Sequence, residues 1–158
     1  KKVVIKPAFS GGAYLTSAFE ISEIASINNQ YKVIALEKEL LLQEFIPEIK
    51  TLGETSFIFF NKKFSHCINK KPVDGDFRIQ VQFGGKYSGI QPSLSLIEKA
   101  QKVIDVFESD LLYARVDGIV IGEELYLMEI ECIEPDLYFE YSQGSIQNFV
   151  TSVLELIK

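Results

Sequence analysis

The sequence predicts an α+β fold in which an antiparallel sheet is backed by helices and preceded by a small, incomplete α/β lobe. Three observations carry this. Apolar-rich runs flank short polar loops at 56–70 and 113–135, as in β-hairpins. Apolar residues recur at helical spacing over 93–107 and 145–157. Residues 1–53 instead read as strand, glycine loop, helix and strand. The expected division is a lobe over 1–53 and a larger one over 54–158.

Lys2 to Pro7 is a short β-branched strand leading into Ala8 to Ala13, where Ser10, Gly11 and Gly12 form a loop. Bare backbone N–H groups there could approach phosphate oxygens, with Lys6 neutralising them; an ordinary Gly-Gly turn is the alternative. Ser17 to Glu20 fits a capping box, so a helix is expected from Ser17 to about Asn29, and Tyr31 to Glu39 is ambiguous. Leu40 to Ile46 reads as a buried strand ended by Pro47. Its last backbone groups, the Phe45 carbonyl and the Ile46 N–H, could meet a flat heterocycle.

Ser56 to Asn61 and Phe64 to Lys70 form a hairpin around Asn61-Lys62-Lys63, and Lys70-Lys71-Pro72 opens a polar loop. Phe77 to Phe83 alternates strictly, which sets Arg78 on a polar sheet face where a bidentate grip on carboxylate or phosphate is feasible. Gly84 to Gln91 reads as a loop. Ser93 caps a helix running to about Phe107, and a closing helix spans Ser145 to Leu156.

The hairpin from Tyr113 to Pro135 carries the chemistry. With Gly122-Glu123-Glu124 as its loop, Ile121 pairs with Leu125, Ile119 with Leu127, Asp117 with Glu129 and Arg115 with Glu131, all on one face. Directly opposed Cβ atoms lie about 4.5–5.5 Å apart, so like charges there destabilise unless a cation lies between them. Oxygen ligands on neighbouring strands suit Mg²⁺; the plainer alternative is a wet polar face. The four aliphatic residues on that face favour the metal reading, because unpaired carboxylates bordering an apolar surface are costly. A loop of two or four residues would break the pairing.

Composition narrows the function. The chain has 158 residues, 47% of them hydrophobic, a net charge of −6 and a sequence pI near 4.9. That length and apolar content support a real core. Lys and Arg form no basic stripe, so nucleic acid and anionic membranes are not expected partners. No apolar run approaches the ~20 residues of a membrane span, and a cytoplasmic protein is expected. Cys67 and Cys132 read as reduced thiols and His66 as a structural histidine. A single histidine argues against a Ser-His-Asp hydrolase.

Taken together, the lysine-proline strand with its glycine loop, QEFIPEI, GE, KKP, DFR, ARVD and MEIECIEP resemble the nucleotide-binding part of the ATP-grasp superfamily. The nearest branch is that of prokaryotic glutathione synthetases and ribosomal protein S6 modification enzymes. The resemblance implies a fragment of an ATP-dependent carboxylate–amine ligase with ATP and Mg²⁺ as cofactors and a small carboxylate and an amine as substrates. Lys6 would reach the ATP phosphates beneath a lid of Ser10, Gly11 and Gly12, and Gln43, Glu44, Phe45 and Ile46 would read adenine. Glu54, or its competitor Glu48, would take the ribose hydroxyls. Lys70 or Lys71 would approach the terminal phosphates, and Arg78 the γ-phosphate or the substrate carboxylate. Arg115 belongs to the same catalytic set, and Asp117 and Glu129 would ligate Mg²⁺, with Glu131 where many members carry asparagine.

In such enzymes the γ-phosphate passes to a carboxylate and an amine attacks the acylphosphate. No enzyme nucleophile is needed. The resemblance also implies an N-terminal substrate domain and an earlier part of the central lobe, neither of which precedes Lys1. The sequence therefore reads as the C-terminal part of a larger ligase, inactive or nearly so alone, with pairing between copies expected through exposed apolar surface.

Overall fold

The computed structural model describes residues 1–72 and 85–157; Arg78 and the alternating run Phe77 to Phe83 lie outside them. The chain divides into two units, Lys1–Ile46 and Pro47–Lys158.

In the first unit, strand β1 (Lys2–Pro7) is central to a three-stranded antiparallel sheet, between β2 (Ser17–Glu20) and β3 (Leu40–Glu44). Ser17 to Glu20 is thus a strand and not a helix start: Val3 pairs with Phe19 and both are buried. The capping box forms three residues later, where Glu20 and Glu23 bond each other's backbone and open a 3-10 turn. Helix α1 (Ile24–Ile34) follows, taking in Tyr31, which the sequence left ambiguous. Strand β3 pairs with β1, yet Leu41 and Leu42 are exposed, against the expected buried strand.

In the second unit, β4 (Glu54–Phe60), β5 (Lys63–Lys71), β6 (Lys86–Ile90), β7 (Tyr113–Ile121) and β8 (Glu124–Glu131) form an antiparallel sheet in the order β6-β5-β4-β7-β8. Lys86 to Ile90, read as loop from its few apolar residues, is made a strand by pairing with β5. Strand β4 is buried along its whole length. Its alternation defines the two faces. Phe57 and Phe59 pack with Cys67, Ala114 and Val116 beneath helix α3 (Leu94–Ile104), which inserts Leu96, Ala100 and Ile104. Each fully buried side chain of this size contributes about 1.5–3 kcal/mol. Ile58, Phe60 and Ile68 face the other way, against Tyr138 and against Phe149 of helix α4 (Ser145–Leu156). Ser93 caps α3, its Oγ accepting from the Leu96 N–H at 3.3 Å. Before β4, a short helix α2 (Ile49–Leu52) ends at Gly53, whose φ of +77° and approach to the Lys70 carbonyl leave no room for a Cβ.

His66 is buried, as a structural histidine should be. Its Nε2–H donates to the Leu137 carbonyl at 2.9 Å, and Nδ1 lies 3.0 Å from the Ser65 hydroxyl, which it can accept in the neutral tautomer. Burial holds its pKa below the ordinary 6.5. The unfolded chain then binds the proton more readily, so stability is fully present above about pH 6.5 and falls as pH is lowered through the folded-state value. Urea titrations of the parent and of His66→Gln at pH 8 and pH 5 isolate this contribution from that of other groups: the stability of the parent relative to the variant should be greater at pH 8 than at pH 5.

Candidate active site

The site is built on the sheet face opposite α3, where alternate residues of four adjacent strands point together: Lys70 from β5, Glu54 and Ser56 from β4, Arg115 and Asp117 from β7, and Glu129 and Glu131 from β8. The register brings them together, pairing Glu54 with Lys70, Ser56 with Asp117, Asp117 with Glu129 and Arg115 with Glu131.

The last two pairs are those the sequence anticipated, but the route to them differs. The hairpin turns on Gly122-Glu123 alone, with Ile121 opposite Glu124. A loop one residue shorter than expected would have broken the acid pairing, were Met128 not inserted as a bulge between the partners of Asp117 and Gly118. The short loop and the extra residue cancel. Beyond the bulge the expected pairs Ile121–Leu125 and Ile119–Leu127 are replaced by Val120–Leu125 and Gly118–Leu127, and Leu125 packs on the α3 face instead of beside the acids. The apolar border of the patch comes from Ile58, Ile68 and Tyr138.

The bulge depends on Gly118. A Cβ there would lie 2.7 Å from the Tyr126 carbonyl oxygen and 2.6 Å from Leu125 Cδ1. Backbone cannot yield as a side-chain tip can, so Gly118→Ala should destabilise the chain by about 1–3 kcal/mol in chemical denaturation.

Asp117 is fully buried and heavily bonded. Ser56 donates to Oδ1 at 2.5 Å, Arg115 Nε to both oxygens at 3.0 Å and an Arg115 terminal nitrogen to Oδ2 at 2.8 Å. Lys70 Nζ lies 3.7 Å from Oδ2 and forms a closer ion pair with Glu54. Arg115 also pairs with Glu131 and donates to the Asp136 carbonyl at 3.1 Å. Burial opposes the charges on Lys70 and Arg115, yet the surrounding carboxylates outweigh it and raise both pKa values. For Glu54 burial dominates, and its carboxyl is pushed up to about 7.

Glu54, Asp117 and Glu129 each offer an oxygen within 4.8 Å of the others. With Glu131 they make four carboxylates against two cations, an excess of two negative charges when all are ionised. Hard oxygen donors with this excess fit a divalent cation such as Mg²⁺. Glu54, expected at the ribose, lies with Asp117 and Glu129 in this cluster, and Glu131 is paired with Arg115.

The profile of the prokaryotic glutathione synthetase ATP-grasp domain matches residues 1–142. The chain belongs to this ATP-grasp family. Its fold is shared with solved structures of three enzymes. The D-cycloserine synthetase DcsG superposes with a TM-score of 0.80 at 20% identity, over 99% of this chain and 56% of that one. The D-alanine–D-alanine ligase from Bacillus anthracis, complexed with ATP, gives 0.66 at 18% identity, over 98% and 52%. The ATP-grasp ligase PsnB, complexed with a phosphomimetic variant of its minimal precursor, Mg and ADP, gives 0.67 at 10%, over 98% and 46%. The chain therefore spans about half the length of these structures. No curated protein matches it in sequence.

The remaining candidates of this ATP-grasp domain are placed as follows. Glu48 is half-buried at the start of α2, and Lys71, next to Lys70 on β5, is exposed. In the first unit Lys6 lies on β1, Gln43 and Glu44 end β3, and Phe45 and Ile46 follow, the Phe45 N–H donating to the Lys2 carbonyl at 3.1 Å. Ser10, Gly11 and Gly12 are exposed between β1 and β2. Sequence reasoning missed Ser56, although its i+2 spacing from Glu54 was a usable signal. It also missed Asp136 and Tyr138, whose loop carries no periodic pattern. No helix among the described residues is long and apolar enough to cross a membrane.

Proposed function

We propose that the chain is the nucleotide-binding part of an ATP-dependent carboxylate–amine ligase, which converts a small carboxylic acid to its acylphosphate and lets an amine displace the phosphate. The observation that carries this is the meeting of Glu54, Asp117 and Glu129 beside two buried cations on one sheet face in an ATP-grasp domain. Glu54, Asp117 and Glu129 would hold Mg²⁺, which supplies charge neutralisation to the triphosphate and to the phosphoryl group in transfer.

The chain's own part is positioning. Arg115 and Ser56 fix Asp117, so that its oxygens keep one orientation. Lys70, whose charge is secured by Glu54 and Asp117, is the candidate for the terminal phosphates in preference to exposed Lys71. With Glu54 committed to the acids, Glu48 becomes the ribose candidate. Lys6 for phosphate, Gln43 to Ile46 for adenine, Ser10 to Gly12 as lid and Arg78 for phosphate or carboxylate are roles the family resemblance supports. No covalent step falls on an enzyme side chain. We place the protein in the cytoplasm.

Calorimetric titration of ATP into the full-length protein, with Mg²⁺ and with chelator, tests the binding. Magnesium-dependent affinity is expected, and equal binding in both conditions would defeat the metal assignment. ADP release against a panel of amino acids and peptides then tests turnover. Magnesium-dependent binding without turnover on any acid–amine pair would favour a noncatalytic nucleotide-binding module.

A further inference from the structure

We infer that Asp136 is a positioning residue of the site: its carboxylate closes a turn that aims its own carbonyl at Arg115, and the guanidinium so fixed orients Asp117. This rests on the magnesium site proposed above.

The backbone around Asp136 is held in a conformation that local preference would not choose. Glu134 and Tyr138 both take left-handed angles, with φ of 49° and 51°, uncommon for bulky side chains and kept only where the surroundings impose them. His66 Nε2–H donates to the Leu137 carbonyl at 2.9 Å, and the Tyr138 ring is buried against Ile58, Phe60 and Ile68. These contacts fix the chain after Asp136. Asp136 itself is exposed, yet its Oδ1 turns back to accept the Tyr138 N–H at 3.0 Å. This Asx turn closes a ring that contains the Asp136 carbonyl carbon, and so it limits the direction in which that carbonyl points.

The carbonyl completes the grip on Arg115. Nε donates to both Asp117 oxygens at 3.0 Å and Nη2 to Oδ2 at 2.8 Å, so one edge of the planar fork lies along the carboxylate. Nη2 also pairs with Glu131, whose side chain is more exposed than that of Asp117. Two acids meeting at one terminal nitrogen would let the fork pivot between them. Nη1, donating to the Asp136 carbonyl at 3.1 Å, supplies the third point that sets its plane. Because the carbonyl is neutral, it does this without enlarging the carboxylate excess. Asp117 takes its orientation from that fork and from Ser56, so the placement of its oxygens beside Glu54 and Glu129 follows from where the loop holds Arg115.

Two readings in the full-length protein test this. In chelator, the Arg115 Nε–H signal in ¹H–¹⁵N spectra, assigned by its loss in Arg115→Lys, should be protected from solvent exchange in the parent and in Asp136→Asn, whose amide oxygen also closes the turn. In Asp136→Ala the signal should shift and lose that protection. By calorimetry, Mg·ATP affinity should fall about tenfold in Asp136→Ala, the lower end of the loss for partners behind a metal ligand, and stay within about twofold in Asp136→Asn. Equal losses in the two variants would assign the effect to charge and overturn the proposal. So would a folded Asp136→Ala in which either reading matches the parent, which would leave the turn a structural feature. If Asp136→Ala does not fold, Asp136→Ser, whose hydroxyl closes the turn more weakly, takes its place, and parent-like readings there overturn the proposal. A parent that binds no magnesium would defeat the metal site itself, a result kept apart from these because the Arg115 signal is read without metal.

Discussion

Arg115→Met should lower the free energy of unfolding by about 3–5 kcal/mol, the largest loss expected from any single polar substitution in this domain. Arg115 is 5% exposed, and its guanidinium serves Asp117, Glu131 and the Asp136 carbonyl together. Its removal leaves a fully buried Asp117 held by Ser56 and a more distant Lys70, and the carboxylate excess rises from two to three. Surface ion pairs such as Lys1–Glu44 and Lys63–Glu155 offer the contrast, since each should change stability by no more than about 1 kcal/mol.

The same substitution tests the site's appetite for a cation. Urea denaturation of Arg115→Met in chelator and in millimolar Mg²⁺ should show a larger magnesium stabilisation than in the parent, because the metal then relieves more unbalanced charge. Arg115→Lys should recover only part of the loss, as a point charge cannot span both Asp117 oxygens. A loss under 1 kcal/mol for Arg115→Met would mean that the network is far looser than its geometry implies.

The legible parts of this fold are those specified by short-range pattern. Ser93 announced α3 and the apolar spacing of 145–156 announced α4, because each helix carries its own cap or period. Ser17 to Glu20 misled, since a capping box and an edge of alternating residues look alike until β1 is available to pair with. Lys86 to Ile90 was missed for the same reason. In the site, Asp117 and Glu129 were legible as cross-strand neighbours even though two errors in the hairpin, its loop length and its bulge, offset each other. Glu54 was not, because its place among the acids depends on its pairing with Lys70 and on β4 lying beside β7, a long-range order no local window contains.

Glu129→Gln is the substitution that isolates metal binding from folding. Glu129 is the exposed member of the acid set, whereas Asp117 and Glu54 are buried. An isosteric amide on an exposed strand position should change stability by no more than about 0.5 kcal/mol. It nevertheless removes a charge from the proposed Mg²⁺ ligand set, and because loss of even an outer-shell partner costs about 10- to 100-fold in metal affinity, Mg·ATP binding should weaken at least that much. ATP affinity in chelator should be unaffected. Asp117→Asn cannot be read so cleanly, because it also strips Arg115 and Lys70 of their shared counter-charge and should destabilise the fold. Pairing the two separates the roles: a shared loss of magnesium dependence with a stability loss only in Asp117→Asn is the expected pattern. If the double variant bound Mg·ATP as the parent does, the acids would be structural, and the cation would have to be held elsewhere.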